Sequence, residues 1–241
     1  RFGLRGVQEK FEGKSYSTLR SQDRRRLDDS ILHATIVKQD EPSDDNSSIY
    51  HIFERINSGG RALSSQEIRA SIYHGPFRKL LADLNKNREW RDIFGKENKR
   101  MRDQELILRF LALYFYSEHY SAPMKGFLNR YMAQNRDLQE QSEDELREVF
   151  PNSISTIYKS LGEDAFRPKK YLNAAVFDSV MVGVARRLEE SPLSEYGKLK
   201  HQYRLLLDDP EYQDAYQEST AQERNVETRL RLATEAFAEV D

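Results

Sequence analysis

Cysteine is absent, which excludes disulfides, thiolate metal sites and a cysteine nucleophile. Histidine is sparse, and His33, His51, His74, His119 and His201 fall into no HxH, HExxH or HxxxH arrangement, so their spacing does not point to zinc. Long apolar runs are missing as well. The longest, Phe110 to Tyr116 behind Leu106, Ile107 and Leu108, is interrupted by Arg109 and is too short to cross a bilayer, so a buried helix is expected there and no membrane partner. No secretory signal is visible in the first residues, and the expected compartment is the cytoplasm. The chain has no GxxxxGK[ST] phosphate loop, no GxSxG setting for Ser64 or Ser65, and no fixed repeat period of the solenoid kind.

What is present is a chain of 241 residues with 38% hydrophobic residues, enough for a core. A charged fraction of 32% and a mean hydropathy of −0.82 suit a mainly helical protein better than an all-β one. The formal net charge of −2 hides a segregation along the chain. Between Arg61 and Phe110 there are 12 Lys and Arg against 7 Asp and Glu, whereas Asp137 to Asp164 has 2 against 8 and Glu189 to Asp241 has 6 against 13. A basic stretch of this kind suits an anionic ligand such as phosphate, and it also suits a solvated helical surface.

Residues 1 to 20, with Gly3, Gly6 and Gly13, show no sustained helical period and read as irregular structure or short strands. Ser21-Gln22-Asp23 can cap a helix running to about Ser30; Ile31 to Lys38 has the β-branched content of a strand; Gln39 to Ser48 is a polar loop. From Ile49 onward the pattern is helical. Ile49, Ile52, Phe53 and Ile56 fall at i, i+3, i+4 and i+7, Gly59 or Gly60 can close that helix, and Ser64-x-x-Glu67 matches a capping box for a second helix that stops at Gly75-Pro76. Further helices are expected over Phe77 to Lys86, Asp103 to His119, Pro123 to Arg136, Ser142 to Leu161 with a break or kink at Pro151, Tyr171 to Glu189, Ser194 to Leu207 and Ala221 to Val240. Arg167-Pro168-Lys169-Lys170 is the best internal boundary, although apolar faces on both sides favour one packed body.

The stretch Phe53 to Glu67, FERINSGGRALSSQE, concentrates the candidate chemistry. Free N–H groups of the turn after Ser64, those of Gly59 and Gly60, and the guanidinium of Arg61 could converge on a phosphate, with Asn57 capping the first helix and contacting the ligand and Arg55 and Arg69 adding charge. From the spacing alone, a plain helix–glycine–helix corner is the favoured reading. Glu105 and Arg109, four apart on an otherwise apolar helix, are expected to satisfy each other in or near the core. The aromatic residues Phe110, Tyr114, Phe115, Tyr116, Tyr120, Phe127 and Tyr131 have the spacing of core packing.

Together, IYHIFERINSGGRALSSQEIRASIYHG, RMRDQELILRFLAL and MKGFLNRYM resemble the N-terminal domain of GmrSD-type restriction systems, a former domain-of-unknown-function family grouped with ParB-like nucleases. The resemblance runs through Phe53, Asn57, Gly59, Gly60, Leu63, Ser64, Glu67 and Arg69, then Glu105 and Arg109, and continues more weakly through YLNAAVFDSVMV and VETRLRLATEAF. It implies a helical bundle-like body with a small ParB-like α/β remnant at the N-terminus, divided as residues 1–76 and 77–241. It further implies a bacterial anti-phage role, with (modified) DNA and nucleotide as partners and an HNH-type nuclease domain or subunit as companion. No cofactor is identifiable from the residues, and the resemblance points to an NTP with a divalent cation. The Asp-Gly-Gln-Gln-Arg motif of such proteins, which lies upstream of the segment resembling residue 1, is absent here. The expected pocket is therefore one wall of a site, with nucleotide-hydrolysing or DNA-cleaving chemistry lying upstream of this sequence. The alternative is a non-catalytic module binding DNA or protein.

Overall fold

The computed structural model describes residues 3–31, 34, 47–56 and 62–240, with backbone alone at 47 and 48. The chain divides into two compact units, Arg1–Lys38 and Gln39–Asp241.

In the first unit Gly13 adopts φ 72°, open to glycine without strain, and the chain turns back so that Leu4 and residues 13 and 14 exchange backbone bonds of 2.8 Å. Two 3-10 turns, Glu9–Phe11 and Tyr16–Thr18, lead to α1, Ser21–Asp28. The Tyr16 hydroxyl donates to the Asp28 carboxylate at 2.9 Å and closes the unit on itself. Ser21 is the first helical residue and not the cap; Arg20 occupies the cap position without a side-chain bond. The strand expected over Ile31 to Lys38 falls mostly outside the described residues, and no described residue is in a strand.

The second unit is helical. It contains α2 (Ser47–Ile56), α3 (Ser65–Ile72), α4 (Pro76–Leu84), α5 (Arg88–Phe94), α6 (Arg102–Tyr116), α7 (Met124–Gln134), α8 (Glu143–Leu161), α9 (Ala174–Glu190), α10 (Tyr196–Asp208), α11 (Pro210–Gln217) and α12 (Glu223–Ala238). Local chemistry places several starts. Asn87 accepts from the Trp90 N–H at 2.9 Å, Ser142 from Glu145 at 3.2 Å, Asn173 from Ala175 at 2.8 Å and Asp209 from Tyr212 at 2.9 Å. The chain is thus mainly α.

Two helices go beyond the sequence pattern. Both α5 and α11 are short, yet each has a capping side chain before it, and α11 carries Pro210 at its first position. In α8 the proline does not break the helix, which runs on through Pro151. The proline lacks one ladder donor, but Phe150, Ile154 and Ile157 around it are fully buried. At about 1.5–3 kcal/mol for each such side chain, their burial outweighs that loss.

At the centre, α9 packs against α6, α8 and α12. Its residues from Ala175 to Ala185 are all buried, so it is enclosed nearly all round. Gly183 allows α12 to approach closely, since a Cβ there would lie 2.7 Å from the Ala233 carbonyl oxygen. Phe110, Phe127 and Tyr131 are buried, and Tyr114, Phe115, Tyr116 and Tyr120 pack against the same core.

Candidate functional site

Of the corner between α2 and α3, Asn57, Gly59, Gly60 and Arg61 lie outside the described residues; both flanks are described. On α2, Tyr50 is completely buried, whereas Phe53 is 45% and Ile56 66% exposed. The helix therefore turns a phenol, rather than the whole isoleucine stripe, into the core. Arg55 is exposed.

On the other flank the capping box forms as its spacing predicts. The Glu67 N–H donates to Ser64 Oγ at 3.2 Å, and the Ser64 N–H donates to Glu67 Oε2 at 2.6 Å. The Ser64 hydroxyl donates to the Arg100 carbonyl at 2.9 Å, and the Arg100 guanidinium pairs with Glu67 at 3.0 Å and reaches the Ala62 carbonyl. Residues 62–67 are thus fastened to the segment entering α6. That segment turns at Met101, whose φ of 55° is left-handed and costs a non-glycine residue roughly 1–2 kcal/mol.

Behind the cap, Arg69 is 1% exposed. Its Nε donates to Gln66 Oε1 at 2.8 Å, one Nη to Asn129 Oδ1 at 3.3 Å, and the other to Glu105, whose side chain is 31% exposed. Asn129 lies one turn after Lys125 on α7. The Lys125 ammonium holds both Glu54 oxygens at 2.8 Å and sits 5.2 Å from the Tyr50 ring centre. Four helices, α2, α3, α6 and α7, therefore contribute one polar cluster. Burial pushes the Arg69 guanidinium below its ordinary value, and the Glu105 charge opposes this without cancelling it.

The expected Glu105–Arg109 pair is corrected by the structure. Glu105 is taken by Arg69, and Arg109 forks onto Asp178 of α9, with its Nε 3.0 Å from Oδ1 and an Nη on Oδ2. Each group meets a partner almost wholly out of water, and a buried charge without a counter-ion costs more than a helix-surface pair returns. Arg229 of α12 adds a second guanidinium at 3.3 Å from Asp178 and donates to the Thr220 carbonyl at 2.6 Å. Desolvation acts against the Arg109 charge, but the Asp178 charge and hydrogen bonds win and raise its pKa; for Arg229 burial wins and lowers it.

A separate polar knot fixes α5. Asp103 accepts from Asn85 at 3.0 Å and Arg91 at 2.9 Å, and Asn85 accepts the Trp90 indole N–H at 2.9 Å. A groove of about 550 Å³ between residues 117–120 and α12 is lined by Glu118, Glu223, Glu227 and Glu235 against Arg186 and Arg231, an excess of carboxylate unsuited to phosphate. Among the described residues no three His, Cys, Asp or Glu side chains are grouped to hold a metal ion, and no helix is long and apolar enough to cross a membrane.

The spacing did not single out Tyr50, Gln66, Lys125, Asn129 or Asp178. Gln66 with Arg69 and Lys125 with Asn129 have same-face spacing, a weak signal. The long-range partners carry none. Comparison with protein-family models, curated proteins and solved structures gave no match.

Proposed function

We propose that the chain binds phosphate, of a nucleotide or of DNA, at the α2–α3 corner, as a component of a bacterial DNA restriction or anti-phage system of the GmrSD type. Arg69 carries this reading: a guanidinium 1% exposed, whose one carboxylate partner is itself 31% exposed, stands on α3 one turn into the helix that the Ser64–Glu67 capping box opens. A desolvated cation of this kind favours a second anion. Support also comes from the residues of the resemblance, since Ser64 and Glu67 form the cap and Glu105 holds Arg69. The basic segment Arg61 to Phe110 adds long-range attraction for phosphate. In this reading Asn57, Gly59, Gly60 and Arg61 contact the phosphate, with Arg55 and Arg69 supporting.

The test is Asn57→Ala and Arg61→Ala in the native polypeptide. Nucleotide hydrolysis or phage restriction is expected to disappear while the melting temperature moves little. Full activity in both variants overturns the reading. DNA binding, where it is the phosphate source, should weaken steeply with added salt.

A further inference from the structure

Glu145, Glu148 and Asn152 fall at i, i+3 and i+7 and so share one face of α8. Among the described residues the Glu145 and Glu148 carboxylates have neither a hydrogen bond nor an ion pair, since Arg147 between them is taken by Glu143 and Asp83. Their face borders a pocket of about 190 Å³, to which α6 gives Tyr114 and Phe115 and α9 gives Ala185, Leu188 and Glu189. The two rings meet edge to face, with centres 4.6 Å apart and planes at 81°. Glu145, Glu148 and Glu189 are all exposed, and no described lysine, arginine or histidine lines the pocket. Its lining is therefore apolar and aromatic with a rim of like charge.

The field at this rim is negative. Burial, the hydrogen bond to Glu189 at 2.6 Å and the charges of Glu189 and Glu145 push the Tyr114 hydroxyl up, so the phenol remains a neutral donor. Arg186 opposes them only electrostatically, because its guanidinium donates to Thr234 of α12 at 3.2 Å and lines the neighbouring groove.

Three carboxylates exclude an anion such as DNA, and they do not group to hold a metal ion. Whole small-molecule ligands fill roughly 300–1,000 Å³, so a pocket of about 190 Å³ suits one side chain better. Lysine and arginine match both parts of the lining: their methylene stems lie along apolar surface while the charged head stays at a wet, acidic rim. A ring face adds attraction for the same head. The groove of about 550 Å³ adjoins this pocket along α9, with Arg186 there and Leu188 and Glu189 here, and its own excess of carboxylate suits further basic residues of one segment.

We propose that the pocket between α6, α8 and α9 docks a basic segment of a partner protein, taking one lysine or arginine side chain with its stem on Phe115, Val149 and Leu188 and its charge among Glu145, Glu148 and Glu189. The proposal uses no residue of the α2–α3 corner and does not rest on the phosphate reading.

The 241-residue chain is titrated at fixed salt with an acetylated pentalysine peptide and, in parallel, with spermidine, and amide chemical shifts are followed. The peptide is expected to move the amides around residues 114–115, 145–152 and 185–189. Glu148→Gln/Glu189→Gln keeps an acceptor for the Tyr114 hydroxyl and should bind the peptide about tenfold more weakly, two exposed ion pairs being lost. Phe115→Leu should bind about threefold more weakly, with one aromatic face lost. Glu97→Gln, at an exposed glutamate between α5 and α6, changes the net charge alone and should bind as wild type does. The double variant relieves like-charge crowding, so its melting temperature should be unchanged or raised. The inference is overturned by a wild type that does not bind the peptide, by a double variant that binds as wild type does, or by an equal loss in Glu97→Gln. Unchanged affinity in Phe115→Leu overturns the docked side chain and leaves only attraction to the rim. Spermidine that binds the same residues more tightly than the peptide assigns the pocket to a free polyamine and overturns the protein partner.

Discussion

Glu105 and Arg109 stand one turn apart on α6, yet they belong to two ion clusters of different closure. Around Asp178 little is in water: the carboxylate and Arg229 are both 0% exposed and Arg109 15%, and two guanidiniums from α6 and α12 converge on one acid of α9. Around Arg69 the carboxylate is partly in water, and the nearby Tyr50 hydroxyl has no partner. The same chemical pair therefore serves two ends. The closed cluster ties three helices of the core to one another, whereas the open one keeps its carboxylate in contact with solvent.

The largest expected effect breaks the closed cluster. Asp178→Ala leaves Arg109 and Arg229 without their anion and should cost about 3–5 kcal/mol in urea unfolding. Glu105→Ala, at the open cluster, leaves the buried Arg69 without its carboxylate and should cost about 3 kcal/mol, the lower end of that range, because one guanidinium rather than two loses its anion. Equal losses would erase the distinction. Glu105→Gln sharpens it: on the phosphate-binding proposal, removing the competing charge should tighten phosphate binding, and stability should fall less than in Glu105→Ala because the amide oxygen still accepts from Arg69.

Gly183 tests the same core from its backbone. Gly183→Ala drives a Cβ toward the Ala233 carbonyl and should destabilise by about 1–3 kcal/mol despite alanine's better helix propensity. Gly197→Ala, on α10 in open space, is the control and should be neutral or stabilising. At the edge of the open cluster, Ser64→Ala removes the cap of α3 and its bond to the Arg100 carbonyl, and should cost about 1 kcal/mol in the same assay.

How much of this was legible from residues alone follows from the range of each interaction. The Ser64–Glu67 box is read from four consecutive positions, so its geometry was available in the string and the structure reproduces it. The mainly helical character came from periodicity, which sums over many residues. Helices α5 and α11 were missed because at seven and eight residues each they hold too few turns for a periodic signal, and only Asn87 and Asp209-Pro210 announced them. The partner of Arg109 is 69 positions away and that of Arg69 is 36 away. No local rule selects them; burial does, and burial is a property of the assembled core. The i+4 spacing of Glu105 and Arg109 was a true local pattern overruled by two buried charges.

The smallest effect concerns Lys125, which serves the open cluster twice. Its hydrogen bond to Glu54 holds that carboxyl below the ordinary glutamate range, and its ammonium lies over the Tyr50 ring. A carboxyl whose folded pKa is depressed contributes stability above its unfolded value and loses it as pH falls through the folded value. Lys125→Met keeps the packing of the stem and removes the charge. Its destabilisation relative to wild type should be within about 1 kcal/mol near neutral pH, since the pair is exposed, and should shrink on acidification below the ordinary glutamate range. The part that survives at low pH measures the ammonium over the Tyr50 ring, because that contact keeps its charge when Glu54 is protonated. A difference that does not change with pH assigns Lys125 to Tyr50 alone, and one that vanishes in acid assigns it to Glu54.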